Sequence, residues 1–268
     1  MLNRLKDELE SNQFELDRKI SVLRERSQEY LQMGKIFMHD MQEPIRKINL
    51  FFDTFMRKVD IPENTEDFRH LTVIRKSITR LRFMMRSMLD FVQVSNAADP
   101  VTLLKPAKLI MEARDQVMSD QNFANLDLRI GEMSDFDGRE TQIKRVFYEL
   151  LKNAVENKSP DRELMVEVTA VISEENIYRN HLSKYKYTDH IKIEFNDNGV
   201  GFESRFDDYV FGLLNKLNTA TPGLGVGLAL CKQVISSHYG TMKVKSRAGE
   251  GTSIIIILPL KQIPEYTN

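Results

Sequence analysis

The chain has 268 residues, enough for one large domain or two modest ones, and its 38 lysines and arginines nearly balance its 39 acidic residues. This balance argues against a dedicated nucleic-acid-binding protein, and no stretch approaches the ~18–20 uninterrupted apolar residues of a membrane span. Because Cys231 is the only cysteine, the chain can form no internal disulfide, and a reducing, cytoplasmic location is expected.

The first predicted element is a long helix with a seven-residue apolar repeat. The residues of this repeat are Leu2, Leu9, Leu16, Leu23, Tyr30 and Phe37. The second apolar position of the repeat is weak, because Asn12, Lys19 and Arg26 occupy it. So narrow a stripe is typical of a coiled-coil seam that meets an identical chain, and a lone solvated helix is the alternative. We assign residues 1–32 to this coil.

Residues 33–97 are predicted to form a hairpin of two amphipathic helices. In the first helix, spacings of four and three mark a buried face formed by Met41, Ile45, Ile48, Phe52, Phe55 and Val59. In the second helix, the same spacings mark Leu71, Ile74, Ile78, Leu81, Met85, Met88 and Val92. Residues 61–65 break the pattern, and Asn64 or Thr65 can cap the second helix. One hairpin cannot cover both stripes, so two hairpins are expected to form a dimeric four-helix bundle.

After a linker at residues 98–102, residues 103–262 are predicted to be an α/β domain, and residues 263–268 a tail. Helices are predicted at residues 106–118, 140–157 and 226–238. Strands are predicted at residues 126–130, 164–172, 190–196, 241–246 and 252–258. The run of four isoleucines at 254–257 indicates a strand covered on both faces. The polar stretch 173–189 is interpreted as a long hairpin tip.

A histidine followed by a carboxylate stands on the first helix of the predicted hairpin. His39 and Asp40 are adjacent, and Glu43 lies one turn beyond His39 on the same exposed face. An imidazole with an acidic neighbour can act as a nucleophile, because the acid can hold one ring nitrogen protonated and leave the other free.

A polar stripe follows on the predicted helix at 140–157. Glu149, Asn153 and Asn157 lie one turn apart on one face, beside an apolar set. Because an amide oxygen is a good ligand for hard cations, Asn153 is a candidate ligand for a nucleotide-bound Mg²⁺. An asparagine in a helix is otherwise usually a surface residue.

Two glycine-containing turns complete the candidate site. Asp197-Asn198-Gly199-Val200-Gly201 follows a strand, and its glycines let the backbone approach a planar ligand. The exocyclic amine of such a ligand can donate a hydrogen bond to the Asp197 carboxylate. An ordinary Asn-Gly turn is the alternative. Gly223, Gly225 and Gly227 open a helix whose N–H groups can hold phosphate. They do not close a βαβ unit, so a dinucleotide-binding fold is not expected.

The order of these motifs resembles that of the sensor histidine kinases of two-component systems. The sequence His-Asp-Met-Gln-Glu-Pro-Ile at residues 39–45 is similar to the histidine box of a subgroup that includes the bacterial phytochrome kinases, His-Asp-Leu-Gln-Glu-Pro-Leu. The resemblance covers residues 33–259. It implies two domains, a helical hairpin that forms a dimeric four-helix bundle and an α/β sandwich ATP-binding domain of the GHKL type.

The resemblance also implies roles for individual residues. His39 matches the phosphoacceptor and Asp40 its acidic neighbour, while Asn153 matches the Mg²⁺ ligand. The remaining matches to ATP-binding positions are Glu149, Asp197, Gly199, Gly201, Lys216, Gly223, Gly225, Gly227 and Thr252. Three positions differ from the usual pattern. Glu149 replaces an asparagine, and Glu156 or Asn157 replaces a basic residue that often lies one turn after the metal-binding asparagine. Glu43 replaces a threonine or asparagine that several histidine kinases have there.

The resemblance implies a homodimeric, ATP- and Mg²⁺-dependent protein-histidine kinase. It would phosphorylate His39 and pass the phosphoryl group to an aspartate on the receiver domain of a response regulator. It would receive its signal from an upstream sensor domain or protein, and no nucleic-acid partner is expected. Two alternatives are left open: an ATPase of the same superfamily, which Glu149 favours, and a dimeric scaffold without activity.

Overall fold

The computed structural model describes residues 2–59, 61–95, 99–123, 125–173, 189–217 and 225–262. The chain divides into two compact units, Met1–Val92 and Gln93–Asn268. Within the described residues, none of the helices is long and apolar enough to span a membrane.

The N-terminal unit consists of two long helices. Helix α1 spans Leu2–Lys58 and continues through Pro44, and helix α2 spans Glu66–Ser95. Thr65 caps α2, as one of the two predicted capping residues, because its side-chain oxygen accepts a hydrogen bond from the Phe68 N–H at 3.2 Å. Among the residues of this unit whose burial is described, the buried ones are Ile45, Ile78 and Met85, and all three belong to the predicted stripes.

The described residues of the C-terminal unit form three α-helices and two sheets. Its helices are α3 (Pro106–Gln121), α4 (Glu140–Glu156) and α5 (Gly227–Ser237). Its strands are β1 (Val101–Leu104), β2 (Asp127–Ile130), β3 (Phe136–Arg139), β4 (Met165–Ser173), β5 (His190–Asp197), β6 (Thr241–Arg247) and β7 (Gly251–Pro259). The main sheet has the order β2-β4-β5-β7-β6, and only the β2-β4 pair in it is parallel.

One face of the main sheet packs against the helices, and the other is covered by its own polar side chains. Phe147 of α4 contacts Phe195 of β5, with ring centroids 5.6 Å apart. On the opposite face, Ile255 and Ile257 are buried beside Glu194 and Lys192, which form an ion pair at 2.5 Å. The prediction of a strand covered on both faces is therefore confirmed.

The predicted C-terminal helices and strands are all present, with shifts of up to three residues at their ends. The prediction missed β1 and β3, which pair with each other in a separate two-stranded sheet, and two short 3-10 turns at Ser204–Phe206 and Tyr209–Phe211. Because β1 begins at Val101, the predicted linker 98–102 extends into this strand. Residues 174–188 of the predicted hairpin tip and the tail 263–268 lie outside the described residues.

Candidate functional site

His39 is presented to solvent on α1. Its side chain is 82% exposed, and its Nδ1 lies 3.4 Å from Oδ1 of Asp40. This separation is long for a hydrogen bond, so the carboxylate is a loosely held neighbour of the ring in this conformation. Glu43 forms an ion pair with Lys47 at 2.7 Å. The hydrogen bond from Lys47, together with its charge, lowers the pKa of the Glu43 carboxyl.

The polar face of α4 carries a set of linked side chains. Glu149 is almost fully buried, and its Oε1 forms an ion pair with Nη2 of Arg145 at 2.7 Å. One turn later, Nδ2 of Asn157 donates to the main-chain oxygen and to Oδ1 of Asn153, at 2.8 and 3.0 Å. This second bond fixes the orientation of the Asn153 amide and leaves its oxygen with a further lone pair for a cation.

A second acid, Glu156, lies on the same part of α4. Its carboxylate is 3.8 Å from the Lys152 ammonium. Burial raises the pKa of Glu156 and the charge of Glu149 raises it further, while the charges of Lys152 and Lys216 oppose this effect. Lys216 therefore lies close enough to α4 for its charge to act there. Positive and negative side chains are thus interleaved around Asn153.

The turn at Asp197 is held by hydrogen bonds from several directions. Oδ1 of Asp197 accepts the Gly199 N–H at 2.8 Å, and the Val200 N–H donates to the Asn157 main-chain oxygen at 2.9 Å. A side chain at position 199 would not fit, because its Cβ would lie 2.5 Å from that same oxygen of Asn157. The close approach of the turn to the end of α4 therefore requires glycine.

Asp197 itself is largely buried, and this burial raises the pKa of its carboxyl. Hydrogen bonds from the main-chain N–H groups of Gly199 and Thr252 oppose this effect, as does the charge of Arg162. Thr252 is the residue of β7 that pairs with Asp197 in the sheet register. A buried carboxylate at a strand end with free acceptor capacity is well suited to an exocyclic amine.

The second glycine turn lies beside the polar face of α4. A Cβ at Gly227, the first residue of α5, would lie 2.6 Å from Oε2 of Glu149. Gly225 has a positive φ of 70°, and its main-chain oxygen accepts the Leu214 N–H at 3.0 Å. The N-terminus of α5, a favourable place for phosphate, is thereby set next to Glu149. Gly223 lies outside the described residues.

The predicted residues fall into two groups. His39 and Asp40 belong to the N-terminal unit, and the other described candidates belong to the C-terminal unit. Within the C-terminal unit, the hydrogen bonds and close approaches above link three sequence motifs, centred on Asn153, on Asp197 and on Gly227. The sequence reasoning missed Arg145, although its spacing of four residues from Glu149 is a recognisable ion-pair signal. It also missed Arg162, which lies in a loop with no such signal.

The donor set around Asn153 fits a nucleotide-bound Mg²⁺. Mg²⁺ usually keeps several waters and takes one or two protein oxygens together with substrate phosphates. Among the residues that the structure describes, no group of three His, Cys, Asp or Glu side chains could enclose a metal ion by itself. An amide oxygen on a half-buried helix face, beside a helix N-terminus that suits phosphate, agrees with a metal that is shared with the nucleotide.

Comparison with known proteins supports the same reading. Residues 138–262 match the model of the histidine kinase-, DNA gyrase B- and HSP90-like ATPase family. The alginate biosynthesis sensor protein KinB of Pseudomonas aeruginosa is 22% identical over 227 residues, which cover 83% of this chain and 36% of KinB. The chain is thus similar to sensor proteins and histidine kinases. It contains an ATP-binding domain of the GHKL type, as predicted.

Other proteins show a similar match. Cyanobacterial phytochrome A of Nostoc is 22% identical over 233 residues, which cover 83% of this chain and 27% of the phytochrome. The chain thus spans about a third of the length of these two relatives. Full-length ShkA, solved in complex with AMPPNP, has a similar fold, with a TM-score of 0.58 and 14% identity over 87% of this chain and 47% of ShkA.

Proposed function

We propose that this kinase core transfers the γ-phosphoryl group of ATP to His39 and then to an aspartate on the receiver domain of a response regulator. The observation that carries the proposal is the pairing, in one chain, of an exposed His-Asp dipeptide with three adjoining motifs at Asn153, at Asp197 and at the α5 N-terminus. Each of these parts has a role in phosphoryl transfer. Their order along the chain resembles that of the motifs of sensor histidine kinases.

His39 is suited to be the nucleophile because its ring is 82% exposed and carries an acidic neighbour. In the proposed reaction, Asp40 moves closer to Nδ1, keeps that nitrogen protonated and leaves the lone pair of Nε2 free to attack. The bond between Nε2 and the γ-phosphorus forms as the bond from that phosphorus to the β,γ-bridging oxygen breaks. ADP leaves with the electron pair.

The C-terminal unit binds and orients the nucleotide in this proposal. Asp197 accepts a hydrogen bond from the adenine amine, and the N–H groups at the start of α5 hold phosphate oxygens. Asn153 would hold Mg²⁺, which when bound offsets negative charge on the β- and γ-phosphates. Lys216 lies close enough to contribute a positive charge to the same region, because its charge already acts on Glu156. Thr252 keeps Asp197 in place through its main-chain N–H.

We infer that the kinase core is a homodimer joined through its helical hairpin. Several residues of the predicted stripes are exposed in a single chain, including Ile48 at 53%, Phe55 at 47% and Ile74 at 46%. Contiguous apolar surface of this kind marks an interface. The receiver domain would meet the hairpin on the face that carries His39, and an upstream sensor domain or protein would act through the N-terminal coil.

ATP hydrolysis is a second candidate function, because Glu149 carries a carboxylate close to the start of α5. The ion pair with Arg145 at 2.7 Å argues against this role. Oε1 of Glu149 is engaged by the Arg145 guanidinium, so this oxygen is less available to take a proton from water. The Arg145 contact therefore favours transfer to His39 over activation of water.

The proposal is tested by incubating the full chain with γ-labelled ATP and Mg²⁺. We expect acid-labile, alkali-stable label on the parent protein and no label on His39→Gln. This substitution is on the surface, so it should change stability by only about 0.5 kcal/mol and leave ATP binding intact. His70→Gln is the matched control, because His70 is also exposed on a helix of the same unit, and it should be labelled normally. Labelling of His39→Gln at the parental level would refute the assignment.

A further inference from the structure

A single arginine, Arg162, joins two turns of the C-terminal unit. It lies in the loop between α4 and β4, five residues after Asn157. Its Nε donates to the main-chain oxygen of Asn198 at 2.6 Å, and its Nη2 donates to those of Gly199 and Gly249 at 2.7 and 2.8 Å. Charged donors make the stronger hydrogen bonds found in proteins, and the planar guanidinium can serve several acceptors at once.

The two joined turns are those that frame Asp197. The first is the Asp197–Gly201 turn, and the second is the β6–β7 turn, which ends at Gly251 and Thr252. They also meet through their backbones, because the Gly249 N–H donates to the Val200 oxygen at 2.7 Å. A Cβ at Gly251 would collide with the main-chain oxygen of Asp197, so the two turns approach each other closely. The Arg162 guanidinium strengthens this contact, because it donates to a main-chain oxygen of each turn.

The remaining bonds of the Asp197 turn do not involve Arg162. Oδ1 of Asn198 accepts the Met165 N–H at 2.9 Å, and its Nδ2 donates to the Glu163 oxygen at 2.9 Å. The Val200 N–H is bound to the Asn157 oxygen. These bonds attach the turn to β4 and to the end of α4, whereas Arg162 and the Gly249–Val200 main-chain bond hold it against the β6–β7 turn. Loss of the arginine should therefore loosen this spacing without unfolding the domain.

We propose that Arg162 is a positioning residue for the adenine end of the nucleotide. It holds the Asp197 turn against the β6–β7 turn, so that the Asp197 carboxylate and the groups beside it keep the spacing that a flat base requires. Its positive charge also favours the ionised carboxylate that accepts from the base amine. This inference rests on the proposed ATP binding, and it adds a residue that touches neither the base nor the phosphates.

The test compares three variants of the full chain, Arg162→Gln, Arg162→Lys and the control Arg247→Gln. Arg247 is a matched control, because it lies at the same β6–β7 turn and its exposed side chain is paired with Glu250. For each variant we would measure the dissociation constant for ADP with Mg²⁺, the KM and kcat of His39 phosphorylation, and the melting temperature without nucleotide.

We expect Arg162→Gln to weaken ADP binding by about tenfold, an ordinary effect for the loss of one charged anchor. KM for ATP should rise by a similar factor, while kcat at saturating ATP stays within about twofold, because the chemistry at the γ-phosphate is untouched. Arg162→Lys should give an intermediate affinity, since an ammonium can donate to these oxygens but lacks the rigid fork. Arg247→Gln should bind as the parent does.

The inference fails if Arg162→Gln binds ADP as tightly as the parent, or if kcat falls and KM does not change. It also fails if Arg247→Gln loses as much affinity, because the effect would then belong to the turn in general. The proposed function is judged separately. If Arg162→Gln weakens nucleotide binding but the parent never labels His39, the positioning role stands and the kinase assignment falls. If the parent protein phosphorylates His39 but the Arg162 variants bind ADP as tightly as the parent does, the kinase assignment stands and the positioning role of Arg162 falls.

Discussion

The ionised carboxylate of Asp197 has opposite effects on the stability of the nucleotide-free protein and on nucleotide binding. Its carboxyl is largely buried at the end of β5, and this burial raises its pKa. Between the unfolded-state and the folded-state pKa, the folded protein binds more protons, so the free energy of unfolding falls as pH rises through this window. Above this window, the ionised carboxylate therefore lowers the stability of the nucleotide-free protein. A bound adenine amine would offset this cost.

We therefore expect Asp197→Asn to separate the two properties. The nucleotide-free variant should melt at a temperature equal to or above that of the parent at neutral pH, because a neutral amide is easier to bury. Its affinity for ADP should fall by at least about tenfold, since the amide oxygen is already engaged by the Gly199 N–H and its nitrogen cannot accept. Calorimetry measures both quantities. Asp161→Asn, an exposed change nearby, is the control, and parental ADP affinity in Asp197→Asn would contradict the role.

The candidate-site residues that lie in short, recognisable motifs could be predicted from the sequence. Arg162, which acts by binding main-chain oxygens that the fold brings together, could not. The histidine box and the glycine turns are contiguous strings with recognisable chemistry. Arg162 was missed because its three acceptors are carbonyl groups 36 to 87 positions further along the chain. Only the fold brings these oxygens to one guanidinium, and no spacing in the sequence encodes their approach.

Among the elements, long amphipathic helices and apolar strands could be predicted, and the short pair β1–β3 could not. Each of these two strands has four residues, and β3 reads Phe-Asp-Gly-Arg, which contains two residue types disfavoured in strands. Val101 pairs with Arg139, so the pairing joins segments that are distant in sequence. Such strands are stabilised by tertiary contacts and not by local preference.

The start of α4 is tied to the end of α5 by a buried histidine. His238 is fully buried, its Nε2 accepts the Arg139 N–H at 3.0 Å, and its Nδ1 lies 2.8 Å from the Val234 oxygen. These partners require a neutral ring with the proton on Nδ1. Gln262, beyond the end of β7, donates to the main-chain oxygen of His238 at 3.0 Å. One side chain thus connects α5 with the residue that precedes α4.

This histidine predicts a pH-dependent loss of stability. Burial lowers the pKa of His238, so between its folded-state pKa and the unfolded value of about 6.5 the unfolded chain binds more protons. The stabilisation is present above about pH 6.5 and is lost as pH falls below it. Urea unfolding at pH 7.5 and 5.5 would measure this slope. His238→Gln should be less stable at pH 7.5 by about 1–3 kcal/mol but should show a shallower slope.

The control for this prediction is His70→Gln. His70 is an exposed histidine of α2 in the N-terminal unit, so its replacement should keep the parental slope. If His238→Gln loses as much stability between pH 7.5 and 5.5 as the parent does, titration of His238 is not the cause.

The two units of the molecule differ in the apolar surface that they leave exposed. This difference indicates which unit would form the interface between two copies of the chain. The N-terminal unit leaves large apolar side chains exposed along both helices, among them Phe51 at 70% and Leu81 at 42%. The C-terminal unit instead buries a continuous core between its helices and its main sheet. The sequence pattern predicted this contrast, because the hairpin stripes are too extensive for two helices alone to cover.

The dimer should therefore depend on the hairpin more than on the coil. The coil repeat is interrupted by Asn12, Lys19 and Arg26, and a seam with polar layers holds weakly and can shift between packings. We expect a chain that lacks residues 1–25 to sediment as a dimer and to differ from the parent in its rate of His39 phosphorylation.

In the full chain, Phe55→Asp combined with Ile48→Asp should yield monomers, because both side chains lie on the exposed stripe of α1. The matched change Leu23→Asp, on the coil, should leave the dimer intact. A monomeric truncated chain, or a dimer that survives both hairpin substitutions, would mean that the bundle is not the principal interface.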